Sequence, residues 1–257
     1  MINFTNNSKT GLALGGGAAL GAAHIGVLKA LEEHGQQIDY VSGTSIGAMI
    51  GAFYAFGMSV EEIEKIAVNL RWLDVSSLSV SRMGLLSNQK LGNLVREELG
   101  DVMIEEAPKP LAIVATDLAS GRKVVFREGD LATAVMASTC IPGIFIPVET
   151  DGKLLVDGGL VENVPIQSLK TIGAKKIIAV DINAMRLYKK PDDIIEVITN
   201  ALDIAIENLS RAKADEVDLL IRPKLASYSR TVDDPEKLRE LIDKGYHAAN
   251  KKLNSYK

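Results

Sequence analysis

The sequence predicts an α/β fold, three layers in the order α/β/α with a mostly parallel central sheet. Three observations carry that expectation. Short apolar runs that read as strands alternate with segments of helical period, the order that builds a parallel sheet covered on both faces. Several of those runs, "PLAIVATDL" at 110–118 and "KKIIAVDI" at 175–182 among them, read as buried strands. The 257 residues, 47% of them hydrophobic, suffice for one large core, so a single domain over 1–257 is expected, with a motif-bearing part at 11–182 and residues 183–257 packed on it.

The elements follow in chain order. Residues 11–14 form a short strand that runs into Gly15, Gly16 and Gly17. From Ala18 the spacing turns helical, with Leu20, Ala23, Val27, Leu28 and Leu31 on one side and His34-Gly35 as the stop. "IDYVSG" is a second strand, and residues 46–56 form a helix apolar all round, which must be buried on every side. Ser59 with Glu62 three places on has the form of a capping box. The Ser-rich stretch 74–89 has no clear period and reads as a surface or mobile segment; Met83, Leu85 and Leu86 within it are either a lipid-touching flap or an ordinary loop. After the strand at 110–118 comes another at 123–129. Asp151-Gly152 suits a two-residue hairpin turn that needs positive φ at both centres, and the strand after it ends at Asp157-Gly158-Gly159. Pro165 fits the first turn of a helix. Amphipathic helices at 193–213 and 234–254 flank a strand at 217–223.

Composition excludes several classes. A net charge of −4 with no basic block argues against a nucleic-acid partner. Cys140 is the only cysteine, so no intramolecular disulfide can form, and a small buried core residue is the expectation for it. The first residues lack a secretory pattern, and the longest apolar stretch, Ile46 to Met58, is too short to span a bilayer. A soluble, cytoplasmic protein is expected.

Chemistry points to "VSGTSIGAMIG" at 41–51. A G-x-S-x-G match alone is weak, but here a strand precedes Ser45, a helix follows it, and Gly43 and Gly47 stand where a sharp elbow brings backbones together. Ser45 is therefore a candidate nucleophile, the alternative being a helix N-cap. Gly15, Gly16 and Gly17 lie between strand and helix, where bare N–H groups suit a developing oxyanion. A dinucleotide loop would need glycine where Leu20 stands, no G-K-[ST] follows, and Asp39 opens its strand instead of closing it. None of His24, His34 and His247 has the setting of a catalytic base; His24 reads as a partly packed helix residue. The remaining candidate base is Asp157, which closes a strand before Gly158 and Gly159; a plain turn is the alternative.

Together these pieces resemble the patatin-like phospholipases, in particular compact bacterial members. The resemblance rests on "GGGAALGAAHIGVLKALEEHG" (15–35), "GTSIGA" (43–48), "ASTCIPGIFIPV" (137–148) and "DGGLVENVPI" (157–166), in the family's order. It implies a patatin-like α/β/α fold, Ser45 as nucleophile, Asp157 as its base and Gly15 to Gly17 as the oxyanion loop. It further implies cleavage of fatty-acyl esters of phospholipids or lysophospholipids, with no metal and no cofactor; transient contact with a membrane surface is the expectation only if Met83, Leu85 and Leu86 form the flap. Two other functions share the same residues, transfer of the acyl group to an acceptor other than water and a non-hydrolytic adaptor binding lipid or protein. The family usually carries Arg or Lys where this chain has Leu20, so neither loop anchoring nor head-group contact by a cation is implied at that position.

Overall fold

The computed structural model describes residues 9–70, 77–78, 81–184, 188, 190–192, 194–211 and 216–255. Strand β1 (Thr10–Leu14) leads through a 3-10 turn (Ala18–Gly21) into α1 (Ala22–Glu33), and β2 (Tyr40–Thr44) leads into α2 (Ile46–Ala55). Helix α3 (Val60–Asn69) opens on a capping box, Ser59 Oγ accepting from the Glu62 N–H while the Glu62 carboxylate accepts from the Ser59 N–H. Then come β3 (Ser77–Leu78), β4 (Leu86–Ser87), α4 (Gln89–Leu99), β5 (Leu111–Asp117), β6 (Arg122–Phe126) and α5 (Leu131–Ser138). The hairpin β7 (Val148–Thr150) and β8 (Lys153–Asp157) precedes the one-turn α6 (Gly159–Glu162), α7 (Ile166–Thr171) and β9 (Lys176–Val180). Helix α8 (Ile194–Arg211), β10 (Leu219–Ile221) and α9 (Pro235–Ser255) complete the order.

The main sheet runs β10-β9-β1-β2-β5-β8-β7, with β6 also on β5. Strands β10, β9, β1, β2 and β5 are parallel, and β6, β7 and β8 are antiparallel to their neighbours. The antiparallel end follows from local chemistry: Asp151 and Gly152 both take positive φ, 50° and 69°, and reverse the chain within two residues.

The sheet's register decides where chemistry can occur. Both β2 and β6 pair with Ile113 and Val114 of β5, so they occupy opposite edges; β8 and β6 share Ala115 to Asp117, so β8 lies on the β2 edge. Strands β2 and β8 therefore meet end to end, Thr44 opposite Val114 and Asp157 opposite Ala115. Ser45, the residue after Thr44, and Asp157, 112 positions apart in sequence, are thereby brought to adjoining strand ends.

Helix α2 is buried from Gly47 to Ala55, as its uniform apolarity demands. Helices α1 and α9 cross at glycines: a Cβ on Gly26 would sit 1.8 Å from the Ile242 carbonyl oxygen, and one on Gly245 1.9 Å from that of Ala23.

Several boundaries differ from expectation. The segment expected to be helical from Ala18 begins as a 3-10 turn, because Ala18 takes a positive φ of 51° and the α-helix can start only beyond it. Pro165 caps α7 instead of lying in its first turn, and β6 ends at Phe126. Helices α4, α5 and α6 had no assigned counterpart. Of the stretch 74–89, residues 74–76 and 79–80 lie outside the described residues; Leu85 and Leu86 both donate N–H to the Ile144 carbonyl.

Candidate active site

Ser45 occupies the turn between β2 and α2 with φ 55° and ψ −128°. A non-glycine residue held there stores about 1–3 kcal/mol, which persists only when its surroundings over-determine it. They do so here by contact. A Cβ on Gly43 would lie 2.3 Å from the Gly47 oxygen, and one on Gly47 2.2 Å from the Leu14 oxygen, so only glycine permits the elbow to close against β1. The Ser45 N–H donates to Ser138 Oγ at 2.8 Å, and that hydroxyl donates to the Val114 carbonyl at 2.6 Å.

Asp157 shares a pocket with Ser45 because the loop that follows it is pinned to β2. Ser42 Oγ donates to the Pro165 carbonyl and Thr44 Oγ1 to the Glu162 carbonyl, each at 2.8 Å. Thr116 Oγ1 holds the Asp157 carbonyl at 2.8 Å. Gly158 passes so close to β5 that a Cβ would stand 2.2 Å from the Val114 oxygen. The Asp157 carboxylate accepts the Gly159 N–H at 2.7 Å and lines the same pocket as Ser45. Burial pushes this carboxyl up from its ordinary 3.8 to about 6, against the pull of the Ser45 hydroxyl, the Gly159 N–H and the Arg230 guanidinium, while Asp203 adds to the rise. The group is thus ionised at neutral pH yet basic enough to take a proton.

The glycine loop narrows the sequence expectation. The Gly15 N–H already donates to the Val180 carbonyl at 3.1 Å and the Gly16 N–H to that of Asn163 at 3.2 Å. These two bonds fix the loop, and among the described residues no backbone hydrogen bond runs from the Gly17 or Ala18 N–H. His24, expected to be partly packed, is fully buried, and its Nε2–H donates to the Gly15 carbonyl at 2.8 Å. Burial lowers its pKa from 6.5 to about 4, so the ring is neutral and acts as a fixed donor. Leu20 is fully buried in the main core, so the 3-10 turn is anchored by apolar packing and by the Ala19 N–H, which donates to the Arg230 carbonyl at 3.1 Å.

Gly16, Gly17, Ser45, Asp157 and Asn163 line one wall of a pocket of about 30 Å³, and buried Asn163 Nδ2 has no acceptor. Thr199, Leu202, Asp203 and Ile206, one face of α8, close the other side. A groove of about 700 Å³ runs between α3 and α4, but it holds neither nucleophile nor glycine loop. His34 caps α1, His247 stacks edge-on against Tyr246, and Cys140 is buried with its thiol pushed up to about 12. Among the described residues no group of three or more His, Cys, Asp or Glu is placed to hold a metal, and no helix is long and apolar enough to cross a membrane.

Ser138, Asn183, Asp203 and Arg230 carry no sequence signal that marks them for the site. Asn183 Nδ2 donates to the Gly16 carbonyl at 2.9 Å, and its Oδ1 accepts from Arg230 at 2.8 Å.

An uncharacterized NTE family protein of Mycobacterium bovis is 40% identical over 185 residues, 71% of this chain and 51% of that protein. Human patatin-like phospholipase domain-containing protein 6 is 36% identical over 183 residues, 67% of this chain and 13% of its own length. The chain thus spans about half the length of the mycobacterial relative and a small part of the human one. Among solved structures, VipD from Legionella pneumophila superimposes with a TM-score of 0.66 at 16% identity, covering 96% of this chain and 67% of that one. ExoU of the Pseudomonas aeruginosa type III secretion system gives 0.51 at 17% identity, over 96% and 53%. These two likenesses speak for the fold. A family model described as patatin-like phospholipase matches residues 12–170, the segment that carries both the serine elbow and Asp157, and the chain belongs to that family.

Proposed function

We propose that this protein is a serine acyl hydrolase acting on fatty-acyl esters of phospholipids or lysophospholipids through a Ser45–Asp157 dyad. The observation that carries the reading is Ser45, at a strained elbow, sharing one small pocket with Asp157, Gly16 and Gly17. Ser45 Oγ attacks the ester carbonyl as Asp157 takes its proton, and the Gly17 and Ala18 N–H groups receive the oxyanion. Asp157 returns the proton to the departing alcohol. It then deprotonates a water that releases the fatty acid from Ser45. Every step uses side chains and amides of the chain itself.

The substrate class rests on the family and on relatives such as one named lysophospholipase NTE1 from Meyerozyma guilliermondii, 27% identical over the whole of this chain and 20% of that protein. Contact with a lipid surface is assigned to Met83 and Leu85, 53% and 52% exposed on a loop tied to Ile144.

A fluorophosphonate probe tests the nucleophile. The native protein takes the label, and Ser45→Ala abolishes it with the fold intact by circular dichroism; labelling that persists in the variant defeats the assignment. Product analysis in water and in the presence of an alcohol acceptor separates hydrolysis from transfer.

A further inference from the structure

We propose that Arg230 receives the phosphate of a lipid head group, and that Asp203 on α8 holds the Arg230 guanidinium until substrate displaces it. The inference rests on the acyl-hydrolase reading above and names its substrate more closely.

Among the described residues lining the pocket, Arg230 is the only cation. It lies outside the segment matched by the family model. One guanidinium nitrogen is 2.6 Å from Asp203 Oδ1, and the two side chains are only 16% and 4% exposed. Desolvating two ions is expensive, and an apolar pair of the same volume would hold α8 down as well or better. A charged pair next to a nucleophile therefore asks for a use beyond stability. The planar fork of arginine matches phosphate as well as it matches carboxylate, so one oxyanion can replace the other on it.

Space supplies the second argument. About 30 Å³ beside Ser45 is room for little more than water, against roughly 300 Å³ or more for ordinary ligand sites. Helix α8 must therefore withdraw before an acyl ester can reach Ser45. Withdrawal takes the Asp203 carboxylate away from the guanidinium, and a substrate phosphate takes its place. A neutral ester offers no such replacement. Arg230 is also tied to the glycine loop through Asn183 and through its own carbonyl, which accepts the Ala19 N–H, so a phosphate bound there is fixed relative to the oxyanion donors.

The test compares kcat/KM for lysophosphatidylglycerol and for monoacylglycerol of the same acyl chain, both below their aggregation limits. Wild-type protein favours the phosphate-bearing ester. The double variant Arg230→Gln with Asp203→Asn, which leaves no buried unpaired charge, lowers that preference tenfold or more, chiefly through KM. Asp203→Asn alone removes the internal competitor and raises the preference, and Arg230→Lys retains part of it. Equal losses on both substrates, or a fall in preference with Asp203→Asn, would overturn the inference. Inhibition of monoacylglycerol turnover by inorganic phosphate, with head-group preference untouched in the double variant, would assign Arg230 to free phosphate and overturn it likewise. Wild-type turnover of neither substrate would sink the hydrolase reading itself, and fluorophosphonate labelling of Ser45 reports on that reading independently of any preference.

Discussion

Replacing Asp157 by asparagine should stop turnover and stabilise the fold. The unfolded carboxyl titrates near 3.8 and the folded one near 6, so folding favours the protonated form. At 1.36 kcal/mol per pH unit that difference is about 3 kcal/mol, absent below pH 3.8 and fully unfavourable above pH 6. Asparagine keeps the shape and one acceptor oxygen but gives up the second, a loss of about 1 kcal/mol. The net expectation at pH 7.5 is a gain of about 2 kcal/mol, or roughly 4–8 °C in Tm for a chain of this size. His24 has the opposite sign. Its folded pKa lies near 4 against 6.5 unfolded, so its contribution of about 3 kcal/mol is present above pH 6.5 and is lost as the pH falls through 4. In the wild type the two nearly cancel across that window, and Asp157→Asn exposes the histidine. Calorimetric Tm measured from pH 4 to 8 should show wild type and variant converging at pH 4 and separating above pH 6. A variant no more stable than wild type at pH 7.5, or a gap of the same size at both ends, would refute the reasoning.

The same carboxyl sets an acid limb in kcat/KM near pH 6, below which the rate falls about tenfold per pH unit; a soluble p-nitrophenyl ester reads it, and a flat profile down to pH 4.5 would argue for another base. His24→Ala leaves the Gly15 carbonyl without its donor, costing about 1–3 kcal/mol of stability and at least tenfold in kcat, whereas His24→Gln, which keeps an N–H in reach, recovers most of both. If the two variants behave alike, the hydrogen bond does not position the loop. Exchanging Met83 and Leu85 for serine should slow hydrolysis of vesicle-borne substrate several-fold and leave a soluble short-chain ester unchanged; equal rates on vesicles would remove these residues from any lipid contact.

Most of the sheet was legible because its strands are short apolar runs bounded by Gly, Asp and Pro, and because Asp151-Gly152 has few alternatives to a tight hairpin. Ser45 was legible through Gly43 and Gly47, whose backbones touch their neighbours at distances no Cβ allows. Helix α5 went unread although Asp130 caps it by accepting the Thr133 N–H at 2.7 Å, because its apolar residues surround the helix and leave no stripe. Helix α4 buries Leu91 and Val95 at i, i+4 spacing, a signal that was present but sat behind the aperiodic stretch before it. The role of His24 could not be read at all. Its partner is a carbonyl, which every residue carries, so neither spacing nor residue type marks the bond. The same holds for Gly15 and Gly16, whose N–H groups look free in sequence and are spent on Val180 and Asn163 in the fold.

That contrast separates two layers of the site. The groups proposed to make and break bonds are announced by geometry peculiar to them: an elbow only glycine can close, a strand end followed by two glycines, a glycine loop between strand and helix. All lie within 12–170, where the family model matches. The groups around the pocket that the proposal assigns to the head group, Asn183, Asp203 and Arg230, come from later in the chain and are ordinary polar residues until the fold sets them against the glycine loop. A chain that kept the first set and changed the second would retain the attack on an acyl carbonyl while altering which alcohol it leaves behind. Exchanging residues 183–255 between family members should therefore move head-group preference with the donor of that segment, while fluorophosphonate reactivity follows the donor of 12–170.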